Sequence, residues 1–197
     1  MPDSENFSEP SRTKRRKKVP RKITPTSLEN AALYYLERFA TSSENLRRVL
    51  LRRVERSAKH HDTDIEACAM LIEDLINRYQ ASGLLDDAVF ARAQAASMNR
   101  RGKSVRAIRG HLMQKAVGAD NIDKALKDLA VDVGDLDLAA AIAYAQKRRI
   151  GPYRKKENAP GVRDKELAAL ARNGFSYSLA QLIVDANNAD ELEQSLQ

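Results

Sequence analysis

One segment of this sequence recurs twice in weaker form, and the recurrence constrains the fold more than any other feature. Residues 100–117 combine basic residues, a small polar residue suited to begin a helix, and apolar residues at helical spacing, among them Ile108 and Leu112. Leu46 lies 62 positions before Ile108, and Leu170 lies 58 positions after Leu112. A period of about 60 residues predicts repeated helical units, which usually form elongated binding surfaces and not closed catalytic pockets.

Helical periodicity continues along the chain beyond residue 25, and no alternating strand of useful length interrupts it. We therefore predict an all-α fold of about nine helices in tandem three-helix repeats. The predicted boundaries are 26–83 for the first repeat, 84–131 for the second and 132–197 for the third. Prolines and glycines at 150–163 predict a loop inside the third repeat.

Residues 1–25 have a different composition from the rest of the chain. They hold eight basic and three acidic residues, so they account for +5 of the net charge of +7. They contain almost no large apolar side chains and cannot bury enough surface to offset the entropy of ordering. We predict a disordered basic tail. Nonspecific contact with DNA or acidic protein is one role for such a tail, and a purely solubilising role is the other.

Composition also limits the cellular context. The only cysteine, Cys68, excludes an internal disulfide and is compatible with a reducing cytosol. No apolar run approaches the roughly 20 residues that span a bilayer, and the first residues lack the apolar core of a secretory signal. We expect a cytoplasmic monomer that does not bind a membrane.

Charge in the body comes in alternating blocks. Basic blocks occupy residues 44–59, 98–116 and 147–165, and acidic blocks occupy 62–90 and 117–140. The middle of each predicted repeat is therefore basic, and its flanks are acidic. This arrangement, more than the net charge, indicates an anionic partner.

The first basic block shows the clearest pattern. Arg48, Arg52 and Arg56 recur every four positions and so share one exposed face of a helix. Like charges at this spacing destabilise a helix by a few tenths of a kcal/mol each. Their presence favours a surface for phosphate or for a carboxylate-rich protein, and a solvated arginine-rich face is the alternative.

No residue pattern supports catalysis. Asp86 and Asp87 suit a helix N-cap and first turn better than an acid–base pair. His60 and His61 are adjacent, so they point to different faces of a helix, unlike the spaced pair that holds zinc. We predict no enzyme activity, no metal and no cofactor. Cys68 is expected to be an inert buried thiol.

Gly102-Lys103-Ser104 resembles the end of a phosphate-binding loop but lacks its upstream glycine and preceding strand. Ser104 as a helix N-cap after a glycine break explains the segment. Docking of a phosphate at that helix N-terminus, beside Lys103 and Arg106, stays open as a further possibility.

Four segments carry a recognisable pattern: Leu84-Leu85-Asp86-Asp87-x-x-Phe90-Ala91, Arg101-Gly102-Lys103-Ser104, Ile108-Arg109-x-x-Leu112-x-x-Lys115, and Leu170-x-Arg172-Asn173-Gly174-Phe175-Ser176-Tyr177. Their order and spacing across about residues 28–187 resemble the RecX family of bacterial recombination regulators. The family usually has glycine after the lysine, where this chain has Ala116. The loop at 150–163 is also longer and more basic than the family pattern.

The resemblance implies tandem three-helix repeats in an elongated, curved body. It also implies a non-enzymatic modulator of RecA, the recombinase that coats single-stranded DNA. Such a modulator lies in the groove of the RecA filament, blocks its extension or promotes its disassembly, and lowers its ATPase and strand exchange. The expected setting is homologous recombination, DNA repair and the SOS response. A sequence-nonspecific DNA-binding helical module that acts without RecA is the alternative.

Charge pattern and resemblance together give two sets of candidate residues. The predicted contacts to the RecA filament or to single-stranded DNA, and possibly duplex DNA, are Arg48, Arg52, Arg56, Arg100, Arg101, Lys103, Arg106, Arg109, Lys115 and Arg172. The predicted structural residues of the family motif are Asp86, Asp87, Phe90, Ile108, Leu112, Gly174 and Phe175.

Overall fold

The computed structural model describes residues 19–155 and 160–194, and this part of the chain contains helices and no strands. The α-helices in chain order are α1 Pro25–Leu36, α2 Ser43–Ala58, α3 Ile65–Ala81, α4 Asp87–Arg100, α5 Val105–Gln114, α6 Ala119–Val133, α7 Leu136–Arg148, α8 Val162–Arg172, α9 Tyr177–Val184 and α10 Ala189–Gln194. A 3-10 turn, Gly151–Tyr153, lies between α7 and α8. None of the described helices is both long and apolar enough to cross a membrane.

Polar side chains begin most of these helices because they accept hydrogen bonds from backbone N–H groups that have no partner within the helix. Asp86, for example, accepts from the backbone N–H of Val89 at 2.8 Å at the start of α4. The side chains that cap in this way are Thr24, Ser42, Asp64, Asp86, Ser104, Asp135 and Ser176.

The buried apolar residues form three separate cores, one for each repeat. The recurrent positions of the sequence lie inside them: Leu46 in the first, Ile108 and Leu112 in the second, and Leu170 in the third, each fully buried. The prediction of an all-α fold in tandem three-helix repeats is therefore confirmed. Cys68 belongs to the first core, and its burial raises the pKa of the thiol.

The third repeat contains more structure than predicted. The additional helix α10 covers its core with Leu192, which is only 2% exposed. The predicted loop is also partly ordered, because Glu166 is buried and accepts from Arg154 at 2.9 and 2.5 Å and from the backbone N–H of Gly151 at 3.3 Å. These bonds hold the 3-10 turn against α8.

The segment 19–24, which we call the strap, lies against the first repeat. Ile23 is buried in the first core. The Ser57 hydroxyl donates to the carbonyl of Arg21 at 3.1 Å, and the His61 ring nitrogen Nε2 lies 2.7 Å from the carbonyl oxygen of Pro20. The prediction of disorder as far as residue 25 was wrong for the strap, since one apolar side chain and two carbonyl contacts fix it. Residues 1–18 lie outside the described residues.

Consecutive repeats are connected by the same pair of hydrogen bonds, which we call the joint. Between the first and second repeats, the backbone N–H of Ser43 donates to Asp87 Oδ1 at 2.7 Å, and the Ser42 hydroxyl donates to the carbonyl of Lys115. Each bond joins the start of α2 to the second repeat.

The second joint repeats this geometry at the start of α5. The backbone N–H of Val105 donates to Asp137 Oδ1 at 2.7 Å, and the Ser104 hydroxyl donates to the carbonyl of Asn173 at 2.7 Å. Gly174 follows with a φ of +90°, and a β-carbon there would lie 2.6 Å from the Ser104 hydroxyl oxygen. Both the backbone angle and the close neighbour therefore favour glycine at this position.

Candidate nucleic-acid interface

A cleft of about 730 Å³ lies where the second and third repeats meet. We call it the basic cleft. Its lining comes from α4, the turn after α4, the end of α5, α7 and the segment between α1 and α2: Ala40, Gln94, Met98, Arg101, Lys103, His111, Lys115, Tyr144, Lys147 and Arg148.

The charge of this lining has one sign. Of the described residues that line the cleft, five have cationic side chains and none is an aspartate or glutamate. None of the five forms an ion pair with a described residue; Lys103 Nζ bonds the Asn173 side-chain oxygen at 3.3 Å, and Arg101 Nε bonds the carbonyl of Ser97 at 3.1 Å. Unneutralised cations around a concave surface concentrate anions there.

Gly102 gives the cleft its shape. Its φ of +79° is in the left-handed region, and a β-carbon there would lie 2.7 Å from the backbone nitrogen of Tyr144. The absence of a side chain therefore lets the turn that carries Arg101 and Lys103 touch the backbone of α7. The same helix carries Lys147, which completes the cationic wall.

His111 and Tyr144 add polar and aromatic groups to the lining. The pKa of His111 is lowered, first by burial and then by the positive charges of Lys115 and Arg101. Its imidazole is therefore neutral at neutral pH and is available as a hydrogen-bond donor or acceptor. The guanidinium carbon of Arg148 lies 6.0 Å from the centroid of the Tyr144 ring, at the outer limit of a cation–π contact.

Comparison with known proteins places the chain in a family. The model of "RecX, second three-helix domain" matches residues 86–126. The Regulatory protein RecX of Myxococcus xanthus is 42% identical over 176 residues, which cover 87% of this chain and 91% of that protein. The chain belongs to the RecX family. The Regulatory protein RecX of Agrobacterium fabrum is 31% identical over 179 residues, which cover 88% of this chain and 92% of that one.

Solved structures agree on the fold. A crystal structure of regulatory protein RecX has a TM-score of 0.55 and 25% identity, and the match covers 82% of this chain and 72% of that chain. The crystal structure of RecX from Lactobacillus salivarius, at 22% identity, has the same TM-score of 0.55 over 87% of this chain and 96% of that one.

Three of the residues predicted to contact a partner in this RecX-family chain, Arg101, Lys103 and Lys115, meet in the basic cleft. Arg101 and Lys103 lie on the turn after α4, Lys115 follows α5, and the packing of these helices brings the three side chains to one cleft. The remaining predicted contacts do not line this cleft.

Some of those remaining residues are already paired. Arg109 binds Asp123 at 2.6 Å, and Arg48 lies 3.4 Å from Glu44. The others outside the cleft are exposed on the surface: Arg52, Arg56, Arg100, Arg106 and Arg172. Of these, Arg52 and Arg56 line grooves on the first repeat.

The sequence analysis missed four cleft residues that carry chemistry: His111, Tyr144, Lys147 and Arg148. Lys147 and Arg148 were visible as the start of the third basic block, and Tyr144 lies one helical turn before Arg148. The contact between α4 and α7, which brings this basic block to the cleft, could not be predicted from the sequence.

The N-terminus of α5 is not available to a phosphate. The carboxylate of Asp137 already accepts from the first N–H of α5, at Val105, and Ser104 is engaged in the joint. The possibility of phosphate docking there was therefore wrong, since a carboxylate from the next repeat already supplies the negative charge.

The predicted structural residues of the family motif lie at packing or joint positions. Phe90, Ile108, Leu112 and Phe175 are buried. Asp87 contributes to the joint as well as to the first turn of α4, because its Oδ1 also accepts from the Ser43 hydroxyl at 3.0 Å. No group of three or more His, Cys, Asp or Glu suited to a metal ion occurs among the described residues.

Proposed function

We propose that this chain regulates RecA without a catalytic step of its own, by binding the filament of RecA on single-stranded DNA. In this proposal it lowers the ATPase, extension and strand exchange of the filament and so modulates homologous recombination and DNA repair. Membership of a family whose relatives are named as regulatory proteins supports the regulatory role. We further propose that it acts as a cytoplasmic monomer.

The basic cleft is the observation that carries the nucleic-acid part of the proposal. Its described lining has five cations without an ion-pair partner in that part of the chain and no carboxylate, which suits a phosphate chain. If each cation neutralises one phosphate, the logarithm of the affinity for single-stranded DNA falls with the logarithm of salt concentration with a slope of about −3.5. The exposed face formed by Arg48, Arg52 and Arg56 is proposed as a second contact with the filament.

The alternation of charge supports a mixed surface of protein and DNA. Acidic blocks at 62–90 and 117–140 flank the cationic segments of the cleft. A filament groove offers protein surface with phosphates nearby, and complementary charge there favours orientation and rapid association more than affinity. The chain needs no nucleophile or bound cofactor for this role.

The test is the ATPase rate of RecA from the same bacterium on single-stranded DNA, with this protein added at substoichiometric amounts. The wild type is expected to lower the rate progressively. The double variant Arg101→Glu/Lys147→Glu is expected to lose most of this effect because it reverses two charges of the cleft. The control Lys124→Glu/Lys127→Glu makes the same charge change on the exposed side of α6, outside the cleft, and is expected to inhibit like the wild type.

DNA binding without RecA is the second candidate function, and the chemistry of the cleft favours it because phosphate recognition requires no protein partner. Binding to DNA alone would weaken steeply with salt. Filament binding would survive moderate salt, with a stoichiometry that follows RecA and not nucleotides. Salt-sensitive DNA binding with an unchanged ATPase rate would exclude the regulatory proposal and leave the second one.

A further inference from the structure

A second concave surface lies on the first repeat, at a distance along the chain from the basic cleft. This groove has a volume of about 620 Å³ and runs between the strap, α1 and α2. Its lining residues are Arg21, Lys22, Thr24, Ser27, Asn30, Ala31, Tyr34, Tyr35, Val49, Leu50, Arg53 and Arg56. Its volume is within the range of pockets that hold small ligands or single side chains.

The floor of the groove is apolar. Ala31, Tyr35, Val49 and Leu50 line it, and Leu50 is fully buried beneath. The hydroxyl of Tyr35 accepts from the Asn45 side-chain amide at 3.2 Å, which fixes one edge of that ring. An apolar floor of this kind gains free energy when a nonpolar side chain replaces water on it.

The rim of the groove is cationic. Arg21, Lys22, Arg53 and Arg56 surround the floor, and the described residues that line the groove include no aspartate or glutamate. None of these four side chains forms an ion pair within the described part of the chain. The Ser57 hydroxyl holds the carbonyl of Arg21 at 3.1 Å, so the strap side of the rim is fixed in place.

The aromatic rings that line the groove, those of Tyr34 and Tyr35, already have partners, which disfavours a stacked nucleobase. The guanidinium carbon of Arg38 lies 3.7 Å from the centroid of the Tyr34 ring, and the rings of Tyr35 and Phe39 have centroids 5.1 Å apart. Sequence-tolerant binding of single strands depends on aromatic faces that are open to bases. A phosphate chain alone would also leave the apolar floor in contact with water.

We infer that this groove binds an acidic peptide segment of a partner protein, with carboxylates on the cationic rim and one aromatic or aliphatic side chain on the floor. Charge complementarity with an apolar anchor is a recurrent arrangement for short peptide recognition. This inference goes beyond the proposed function: the groove and the basic cleft share no described lining residue, and only Arg56 belongs both to the groove and to the arginine face proposed as a second filament contact.

Fluorescence anisotropy with a short labelled peptide, in which glutamates flank a Phe-Leu pair, tests the inference on the full chain. Saturable binding is expected, and a peptide with glutamines in place of the glutamates is expected to bind much more weakly. Arg53→Glu/Arg56→Glu is expected to weaken binding by at least about tenfold, because two attractions become repulsions. Val49→Thr keeps the shape of the side chain and is expected to cost about threefold by making the floor polar.

Two controls keep the result specific. Lys124→Glu/Lys127→Glu changes the net charge equally on α6 and is expected to leave peptide binding unchanged, as is Arg101→Glu/Lys147→Glu in the basic cleft. Arg53 and Arg56 are exposed, so an unchanged circular dichroism spectrum is expected for their variant. Undetectable binding by the wild type, or equal affinity for wild type and Arg53→Glu/Arg56→Glu, overturns the inference.

A third result would overturn the peptide inference by showing that the groove binds nucleic acid. If a single-stranded oligonucleotide still binds the Arg101→Glu/Lys147→Glu variant, and the further change Arg53→Glu/Arg56→Glu abolishes that binding, the groove is a nucleic-acid site. The ATPase experiment on RecA uses variants of the basic cleft, whereas the peptide experiment depends on variants of the groove. Failure of the proposed RecA regulation can therefore be distinguished from failure of the peptide inference.

Discussion

Substitution of Gly102 by alanine is expected to be unusually destabilising, because two separate costs fall on one methyl group. The first is conformational: at a φ of +79° an alanine costs about 1–2 kcal/mol relative to glycine. The second is steric. The new β-carbon would lie 2.7, 2.8 and 2.9 Å from the backbone nitrogen, Cα and Cβ of Tyr144, whereas carbon atoms prefer about 3.5–4.0 Å.

The steric cost has to be met by the backbone of α7, since no flexible side chain can move aside. Overpacking of this kind costs about 1–3 kcal/mol, so Gly102→Ala is expected to lower the free energy of unfolding by about 2–5 kcal/mol in all. Gly83→Ala is the matched control. Gly83 has a φ of +75° and nothing within 4 Å of its virtual β-carbon, so only the conformational cost of about 1–2 kcal/mol applies.

Urea denaturation followed by circular dichroism measures both variants against the wild type, and the slope of the transition shows whether the denatured state has changed. The difference between the two variants is the contribution of the contact with α7. Gly102→Ala is also expected to weaken binding of single-stranded DNA, since it displaces Tyr144 and the turn that carries Arg101. If the two variants lose the same stability, the close contact between that turn and α7 does not contribute, and the account of the cleft's shape is wrong.

Three further predictions concern single residues elsewhere. Ala116 has a φ of +56°, where glycine is more stable than alanine. Ala116→Gly is therefore expected to stabilise the protein by about 1 kcal/mol and to raise Tm in thermal denaturation by roughly 2–4 °C. An unchanged or lower Tm would contradict this prediction. Glu166→Gln removes the negative charge from a largely buried ion pair with Arg154. It is expected to lower the free energy of unfolding, measured by urea denaturation, by about 1–2 kcal/mol. An unchanged free energy of unfolding would show that the attraction within the pair only balances the cost of removing both groups from water. Arg163 lowers the pKa of Asp185, so the pair stabilises the fold above the pKa of an unperturbed aspartate, about 4, and this contribution is lost as pH falls through the lowered pKa. Asp185→Asn should therefore flatten the dependence of Tm on pH below about pH 4, and a slope equal to that of the wild type would contradict it.

The fold was largely predictable from the sequence because each repeat buries its own core. Apolar residues at spacings of three and four positions define a helix face without knowledge of its neighbours, and Leu46, Ile108 and Leu170 are at the centres of their cores for this reason. The strap was not predictable in the same way. One apolar residue, Ile23, among basic residues and prolines carries no periodic signal, and the order of the strap depends on contacts with Ser57 and His61.

The candidate sites were predictable only in part, because they depend on contacts between repeats. Arg101 and Lys103 belong to a local motif, whereas Lys147 reaches the same cleft only because α7 packs against α4. The joints could not be predicted from the sequence for another reason. Ser104 has the sequence signature of an ordinary N-cap, and nothing local distinguishes a hydroxyl that also bonds the carbonyl of Asn173 in the next repeat.

The joints determine which residues of this fold can change without altering the arrangement of the repeats. Their acceptors at Lys115 and Asn173 are main-chain carbonyls, which persist whatever side chain occupies those positions. The relative orientation of neighbouring repeats is thus tied to a few serines, aspartates and glycines, and the exposed side chains are not needed to maintain it. A change of surface charge therefore leaves the spacing of the repeats in place. A protein of this design can adapt to a new partner one exposed residue at a time without having to rebuild its scaffold.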